Sequence, residues 1–97
     1  MLLEGFYEVV KQSDEEAVVQ LSDASHPIFQ AHFPDNPIMP GFMHLDIIED
    51  VFSLEITTVK KAKYSAIVEP SSELTYTKEH NKFKVYCKDN IVATLLF

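Results

Sequence analysis

Three groups in the middle of the chain could together move protons. His32 lies in a proline-rich stretch, HPIFQAHFPDNPIMPG (residues 26–41), which ends at Gly41, and Asp46 follows five residues later. An imidazole can accept a proton and a carboxylic acid can donate one. The unpaired amides at the start of a helix can stabilise an oxygen atom that gains negative charge. The stretch therefore predicts acid–base chemistry, with His32 as base, Asp46 as acid and the Gly41 amide as oxyanion donor.

Prolines restrict the conformations of this stretch. Four of the five prolines in the chain occur within residues 26–41. Pro34, Pro37 and Pro40 fix their own φ angles and favour extended geometry in the residues that precede them. Gly41 has no side chain, so a ligand or another backbone can come close to the start of the next element. We therefore expect a rigid loop that holds His32 and leads into a helix at Gly41.

One helix and six strands are expected around this loop. In FMHLDIIEDVFSL (residues 42–54) apolar residues recur at steps of three and four, which is typical of a helix that is apolar over much of its circumference. Two strands, residues 5–11 and 17–21, precede the loop and are joined by the polar turn QSDEE. Four more strands are predicted in ITTVKKAKYSAIV, ELTYTKE, KFKVYCK and IVATLLF, separated by turn residues. The predicted fold class is α+β, an antiparallel sheet curled around one central helix.

Composition limits the classes of function. The chain of 97 residues is expected to form a single domain, residues 1–97. A net charge of -7 argues against nucleic acid as a partner, because phosphate binding depends on Lys and Arg. No apolar run is long enough to cross a membrane and no basic leader is visible, so the lone Cys87 predicts a reducing, cytoplasmic setting. The spacing of His26, His32 and His44 matches no common metal-ligand pattern, so no metal is expected, and His26, His44 and His80 are interpreted as surface or packing residues.

Two features favour association with another subunit. A domain of this size buries a modest share of its unfolded surface, so a partner would add to its stability. The last predicted strand, IVATLLF, is apolar on both faces, which is unusual for an exposed edge. We expect a homodimer or a higher oligomer built from dimers.

Two segments resemble a known enzyme family. Residues 29–46, FQAHFPDNPIMPGFMHLD, closely resemble the signature of the 3-hydroxyacyl-acyl-carrier-protein dehydratases of fatty acid synthesis, with His-Phe-Pro, the next proline and Pro-Gly at matching spacings. Residues 59–74, VKKAKYSAIVEPSSEL, are similar to the strand and turn that the same family places after its helix. The resemblance extends over roughly residues 5–97, with its most specific part in residues 29–46.

The resemblance implies a hotdog fold and a homodimer with two sites at the subunit interface. It implies that His32 removes the α-proton of a 3-hydroxyacyl thioester, that Asp46 of the opposite subunit protonates the departing hydroxyl, and that the Gly41 amide binds the thioester carbonyl. No metal or redox cofactor is implied. The partner implied is an acyl carrier protein with a phosphopantetheine-linked acyl chain. The implied substrate-binding residues line an acyl tunnel: Phe33, Met39, Pro40, Phe42 and Met43.

The chain departs from the family pattern at several positions. Asp46 stands where the family most often has Glu, and Ala31 and Asp35 replace two glycines. Asp50 replaces a glutamine, and with Glu49 it could raise the pKa of Asp46 or lie on an exposed rim. Two alternatives to a dehydratase stay open: a thioesterase of the same fold, and a non-catalytic acyl-binding protein.

Charge is distributed unevenly along the chain. Residues 1–55 contain eleven acidic residues and one lysine, whereas residues 60–97 contain seven lysines and four acidic residues. Acyl carrier proteins are acidic, so a lysine-rich surface of this second half could receive one. Lys61 and Lys63 are expected to point to the same side of their strand and Lys60 to the other side. The alternative interpretation is a solvated surface whose lysines protect a sheet edge.

Overall fold

The computed structural model describes residues 5–31 and 37–97. His32 and Phe33, two of the residues predicted to act at the site, lie outside the described residues. Within these ranges six strands and two helices follow one another along the chain: β1 (Tyr7–Gln12), β2 (Glu16–Leu21), α1 (Pro27–Ala31), α2 (Met43–Phe52), β3 (Lys61–Tyr64), β4 (Glu73–Glu79), β5 (Lys82–Cys87) and β6 (Asn90–Leu96).

The strands form one antiparallel sheet in the order β1-β2-β4-β5-β6-β3. The predicted hairpin of β1 and β2 is confirmed, and Ser13 closes its turn by donating its backbone N–H to the carbonyl of Glu16 at 2.7 Å. His80 and Lys88 take positive φ angles of 54° and 58° in the turns between β4, β5 and β6. Turn residues thus separate these strands close to where the sequence predicts them.

Helix α2 packs against one face of the sheet. Its buried side chains recur at steps of three and four, and they are Met43, His44, Ile47, Ile48 and Val51. The helix ends at Phe52, and the next residue, Ser53, adopts the left-handed conformation with φ of 54°. The ring of Phe52 contacts that of Phe83 on β5, with centroids 5.1 Å apart. The core therefore lies between α2 and the alternate residues of the strands, as the predicted fold class requires.

Two local predictions need correction. The stretch predicted as a rigid loop contains the short helix α1, because Pro27 suits a first helical position and Phe29 is fully buried with its ring 5.3 Å from that of Phe6. The strand predicted over residues 56–68 is paired only at Lys61–Tyr64, and Val68 forms an isolated bridge with Met39. Tertiary contacts therefore contribute to both differences, the formation of α1 and the short length of β3, because local propensity alone predicts neither.

The last strand is not an edge strand. β6 pairs with β5 on one side and with β3 on the other, so its backbone is satisfied in both directions. A register shift near its start explains why the consecutive residues Val92 and Ala93 are both buried. Ile91 and Leu96 remain 42% and 37% exposed on the outer side. The edges of the sheet are β1 and β3, and all four residues of β3 are exposed.

Candidate functional site

The segment before α2 is fixed by a contact with the strand region after it. The backbone N–H of Met39 donates to the carbonyl of Val68 at 2.8 Å, and both side chains are buried. Helix α2 then begins in tight turns, in which Met43 donates to Pro40 at 3.0 Å and His44 donates to Gly41 at 3.1 Å. The start of the helix is therefore held beside residues 64–68.

Gly41 is packed under an aromatic ring. A β-carbon added at Gly41 would lie 3.0 Å from three atoms of the Tyr64 ring, closer than side chains normally approach. The sequence predicts the approach of a ligand or another backbone at this glycine, and the neighbour in the structure is instead the side chain of Tyr64. In residues 5–31 and 37–97, no carbonyl accepts a hydrogen bond from the Gly41 amide. An available N–H at the start of a helix is a suitable donor to an oxygen atom that gains negative charge.

A cavity of about 380 Å³ opens at this point. Its wall consists of residues 38–41, His44 and residues 64–68. Met39 and Pro40, both predicted to bind substrate, belong to this wall together with Gly41. Because most of these side chains present carbon or sulfur atoms, the cavity suits an apolar ligand with few polar groups.

His44 is the buried polar residue of the cavity wall. Its side chain is 2% exposed, and its Nδ1 lies 2.8 Å from the hydroxyl of Tyr76 on β4. The ring stacks on that of Tyr64, with centroids 6.2 Å apart. Burial lowers the pKa of His44 from 6.5 to about 4, so the ring is neutral at pH 7. The burial of His44 agrees with its interpretation as a packing residue, and its place in the cavity wall is an addition that the sequence did not predict.

A sequence signal for His44 exists. It stands three, four and seven residues before Ile47, Ile48 and Val51, so it shares the buried stripe of the helix. A histidine on such a stripe must find a hydrogen-bond partner inside the protein.

Asp46 lies in the first turn of α2, on its exposed side. Partial burial raises the pKa of this carboxyl group above its ordinary value, and the negative charge of Glu49 adds to the rise. The direction agrees with the sequence expectation, although burial contributes more than the neighbouring acid. Asp46 is not part of the cavity wall of its own chain.

Asp50 has a structural partner. Its carboxylate accepts a hydrogen bond from the hydroxyl of Tyr7 on β1, and it is exposed. Burial, this hydrogen bond and the charge of Asp50 together raise the pKa of Tyr7. The exposed position agrees with the interpretation of Asp50 as a rim residue, and the contact ties α2 to the edge of the sheet.

Phe42 and Met43, also predicted to bind substrate, are not part of this cavity wall. Phe42 is 55% exposed and Met43 is buried in the core, and neither lines the cavity. The predicted site residues that meet at the cavity are therefore Met39, Pro40 and Gly41, and Tyr64 and His44 join them from outside the prediction. For the described ranges, no three His, Cys, Asp or Glu side chains form a group that could hold a metal ion, and no helix there has the length and apolar character of a membrane span.

Comparison with known proteins identifies the family. A model of the ApeI-like family, described as ApeI dehydratase, matches residues 9–94. The chain belongs to the ApeI-like dehydratase family. This result confirms the dehydratase resemblance that residues 29–46 predict.

Curated relatives of this ApeI-like chain include 3-hydroxyacyl-[acyl-carrier-protein] dehydratases FabZ from two bacteria. The enzyme from Thermoanaerobacter sp. (strain X514) is 31% identical over 64 residues, which cover 53% of this chain and 45% of the relative. The enzyme from Caldanaerobacter subterraneus subsp. tengcongensis is 40% identical over 40 residues, which cover 41% of this chain and 28% of the relative. The chain thus spans less than half the length of the curated relatives that it matches.

Solved structures confirm the fold of this ApeI-like chain. The dehydratase heterocomplex ApeI:P from Xenorhabdus doucetiae matches with a TM-score of 0.66 and 18% identity, over 91% of this chain and 89% of the other. The TT0310 protein from Thermus thermophilus matches with a TM-score of 0.53 and 14% identity, over 96% of this chain and 90% of the other. The α+β hotdog fold predicted from the sequence is confirmed.

Proposed function

We propose that this chain dehydrates a 3-hydroxyacyl thioester to the trans-2-enoyl thioester, in fatty acid synthesis or a related synthesis of acyl chains. The observation that carries the proposal is the amide of Gly41 at the start of α2, which donates to no carbonyl of the described residues and lies in the wall of a mainly apolar cavity. An acyl thioester presents one carbonyl oxygen and an apolar chain, which match these two features. Family membership and the FabZ relatives support the same reaction.

In the proposed mechanism, His32 takes the α-proton and Asp46 gives a proton to the 3-hydroxyl group. The α C–H bond and the C–O bond at carbon 3 break, a carbon–carbon double bond forms, and one water leaves. The Gly41 amide hydrogen-bonds the thioester carbonyl as enolate character develops, which lowers the cost of removing a weakly acidic proton. The raised pKa of Asp46 favours its protonated form, which a general acid requires.

We propose that the active form is a homodimer with sites at the interface. Asp46 is outside the cavity wall of its own chain, which supports a site that is completed by Asp46 of a second subunit. Strand β3, whose residue Tyr64 covers Gly41, is an edge strand with every residue exposed. An edge strand of this kind offers unpaired backbone groups to a second chain. A second copy pairing there would extend the sheet beside the cavity.

We propose an acyl carrier protein as the donor of the substrate. Strands β3 and β5 lie on either side of β6, and each supplies two lysines to one face of the sheet. One lysine from each strand flanks Thr94 of β6, and one from each strand flanks Leu96. This lysine patch consists of Lys61, Lys63, Lys82 and Lys84. Lys63 directly precedes Tyr64 of the cavity wall on the edge strand β3, so the patch is one residue from the cavity wall but on the opposite face of the sheet, and a carrier bound there would approach the cavity around this edge.

One assay separates the proposed activity from its alternatives. Given a 3-hydroxyacyl thioester, a dehydratase generates the absorbance of a conjugated enoyl thioester, a thioesterase releases free thiol, and a non-catalytic binding protein does neither. Enoyl formation without thiol release is the expected result. Thiol release alone, or no reaction, would contradict the proposal.

Substitutions test the proposed roles. His32→Ala and Asp46→Asn are each expected to lower kcat by at least about a hundredfold, with unchanged circular dichroism and thermal midpoint. Asp50→Asn is the matched control, because it removes a carboxylate from the same helix while an amide oxygen can still accept from Tyr7. Full turnover in Asp46→Asn, or an equal loss in Asp50→Asn, would remove Asp46 from the mechanism.

A further inference from the structure

Among the described residues of the cavity wall, one buried side chain can hydrogen-bond a ligand. Ile38, Met39, Pro40 and Val68 supply apolar surface. The hydroxyl of Ser65 belongs to an exposed residue, whereas His44 is 2% exposed. A polar atom in such a position has few means of bonding to bulk water, so its partner inside the cavity matters for binding.

The hydrogen bond to Tyr76 decides which nitrogen of His44 carries the proton. Tyr76 is 1% exposed, and its hydroxyl has no partner other than His44 Nδ1 among the described residues. The buried O–H donates to Nδ1, because among the described residues the opposite arrangement would leave its proton without an acceptor. Burial raises the pKa of Tyr76 well above 10.0, which keeps this proton on the tyrosine. The neutral His44 ring therefore carries its own proton on Nε2.

The Nε2–H group is left as a donor for the cavity. In the part of the chain that the structure covers, Nε2 makes no hydrogen bond. Every fully buried side-chain nitrogen or oxygen atom there has a hydrogen-bond partner, so an atom without a partner is not fully buried. Nε2 is therefore accessible, and the cavity is the open space that His44 lines. Stacking on Tyr64 and the bond to Tyr76 fix the ring, so the donor has a defined direction.

We propose that His44 is a specificity-determining residue whose Nε2–H donates to an acceptor oxygen on the acyl group in the cavity. The ligand class is an acyl chain that carries an oxygen beyond the thioester carbonyl and the 3-hydroxyl, such as a ketone, ether or further hydroxyl. The inference rests on the proposed function in one respect, since it takes an acyl group to be the occupant. A plain alkyl chain of the same length would bury the donor unsatisfied.

The expected selectivity follows from the cost of that unsatisfied donor. Sites built to hydrogen-bond a ligand discriminate strongly against analogues that lack the polar atom. For one neutral donor, we expect the oxygen-bearing chain to bind about ten- to hundredfold more tightly than the alkyl chain.

Nuclear magnetic resonance tests the first step without any ligand. In protein labelled with ¹⁵N at histidine, the nitrogen shifts and proton couplings of His44 should show Nε2 protonated and Nδ1 as acceptor at pH 7. In Tyr76→Phe this preference should weaken, because the donor to Nδ1 is lost. A proton on Nδ1 in the unchanged protein would overturn the inference.

Calorimetry tests the second step with unreactive ligands. The probes are acyl-pantetheine amides of equal length, one with a plain alkyl chain and others with a ketone or ether oxygen moved stepwise along it. The unchanged protein should prefer one oxygen position by at least about tenfold. The double variant His44→Leu/Tyr76→Phe removes both hydrogen-bonding partners, which avoids an orphaned hydroxyl, and it should abolish the preference.

The control variant removes a different histidine. His80 is exposed in a turn at positive φ, where Asn is well tolerated, so His80→Asn should retain the preference. The inference would be overturned if the unchanged protein bound no ligand or bound all of them with equal affinity. It would also be overturned if the double variant kept the preference or lost affinity equally for all ligands. Dehydration is not measured in this experiment, so failure of the proposed activity would be seen separately, in the assay for enoyl formation.

Discussion

Acidification should weaken the fold through His44, and replacement of this residue by Gln should remove that effect. Gln cannot take up a proton, but its side-chain oxygen can accept from the Tyr76 hydroxyl, which now bonds His44 Nδ1. The comparison therefore isolates the titration of one buried ring. Any constant difference in stability between the two proteins is irrelevant, because only its change with pH is interpreted.

The size of the effect follows from the pKa of His44. Burial lowers this pKa from 6.5 to about 4 in the folded protein. Between these pH values the unfolded chain binds a proton at His44 and the folded chain does not, so falling pH favours unfolding. At about 1.36 kcal/mol for each pH unit, the loss between pH 6.5 and pH 4 is about 3 kcal/mol.

Other groups do not imitate this result. The raised pKa of Asp46 acts in the opposite direction, because the folded chain then binds protons more readily than the unfolded chain as the pH falls. Asp46 is present in both proteins, so its contribution cancels in the difference. The pKa of Tyr76 is raised, which keeps this residue protonated throughout the acid range.

Urea denaturation at a fixed protein concentration, at several pH values from 7 to 4, provides the measurement. The free energy of unfolding of the unchanged protein, minus that of His44→Gln, should fall by about 3 kcal/mol across this range, with equal m-values. A difference that stays constant with pH would mean that His44 is not a neutral buried group, and it would contradict the assignment of the ring proton to Nε2.

Three further predictions concern the cavity, the lysine patch and the assembly. Gly41→Ala should displace the Tyr64 ring, lower kcat/KM at least about tenfold and destabilise the fold by about 1 kcal/mol. If the Tyr64 ring causes the loss of stability, the same substitution in a Tyr64→Ala background should cost much less. Reversal of charge at Lys61 and Lys63 should raise KM for carrier-linked substrate with little change in kcat, and an increase of salt from about 50 to 500 mM should have the same effect. If KM is unchanged in both experiments, the lysine patch is only a solvated surface. Light scattering over a dilution series should give twice the mass of 11.1 kDa, whereas a monomer that is active alone would contradict the shared site, and activity gained only with a second, different chain would replace the homodimer.

Much of the fold is determined locally and was therefore predictable. The helix in residues 42–54 follows from apolar spacing, and the strands Glu73–Glu79 and Lys82–Cys87 follow from alternation and the turn residues between them. These patterns depend on residues close together in the sequence, so a single sequence is enough to predict the helix and these strands. The prolines and Gly41 likewise mark the entry to α2 and indicate the family.

Long-range pairing determined the features that local sequence patterns do not encode. The place of β6 inside the sheet depends on β3 crossing to its far side, which no local pattern encodes. Helix α1 formed within a proline-rich stretch because tertiary packing buries Phe29 beside Phe6. Strand pairing covers Lys61–Tyr64 and leaves the rest of the predicted strand without a ladder partner among the described residues.

The site divides in the same way. The sequence by itself indicated Gly41, because chain stiffness and helix-start chemistry are properties of adjacent residues, whereas Met39 and Pro40 were indicated by the family resemblance. Only the tertiary structure brought Tyr64 over Gly41 and placed the Tyr76 hydroxyl, 32 residues away along the chain, on His44 Nδ1. That contact sets the protonation of the ring, since a buried O–H must have an acceptor and the one that the described residues offer is a nitrogen on another element.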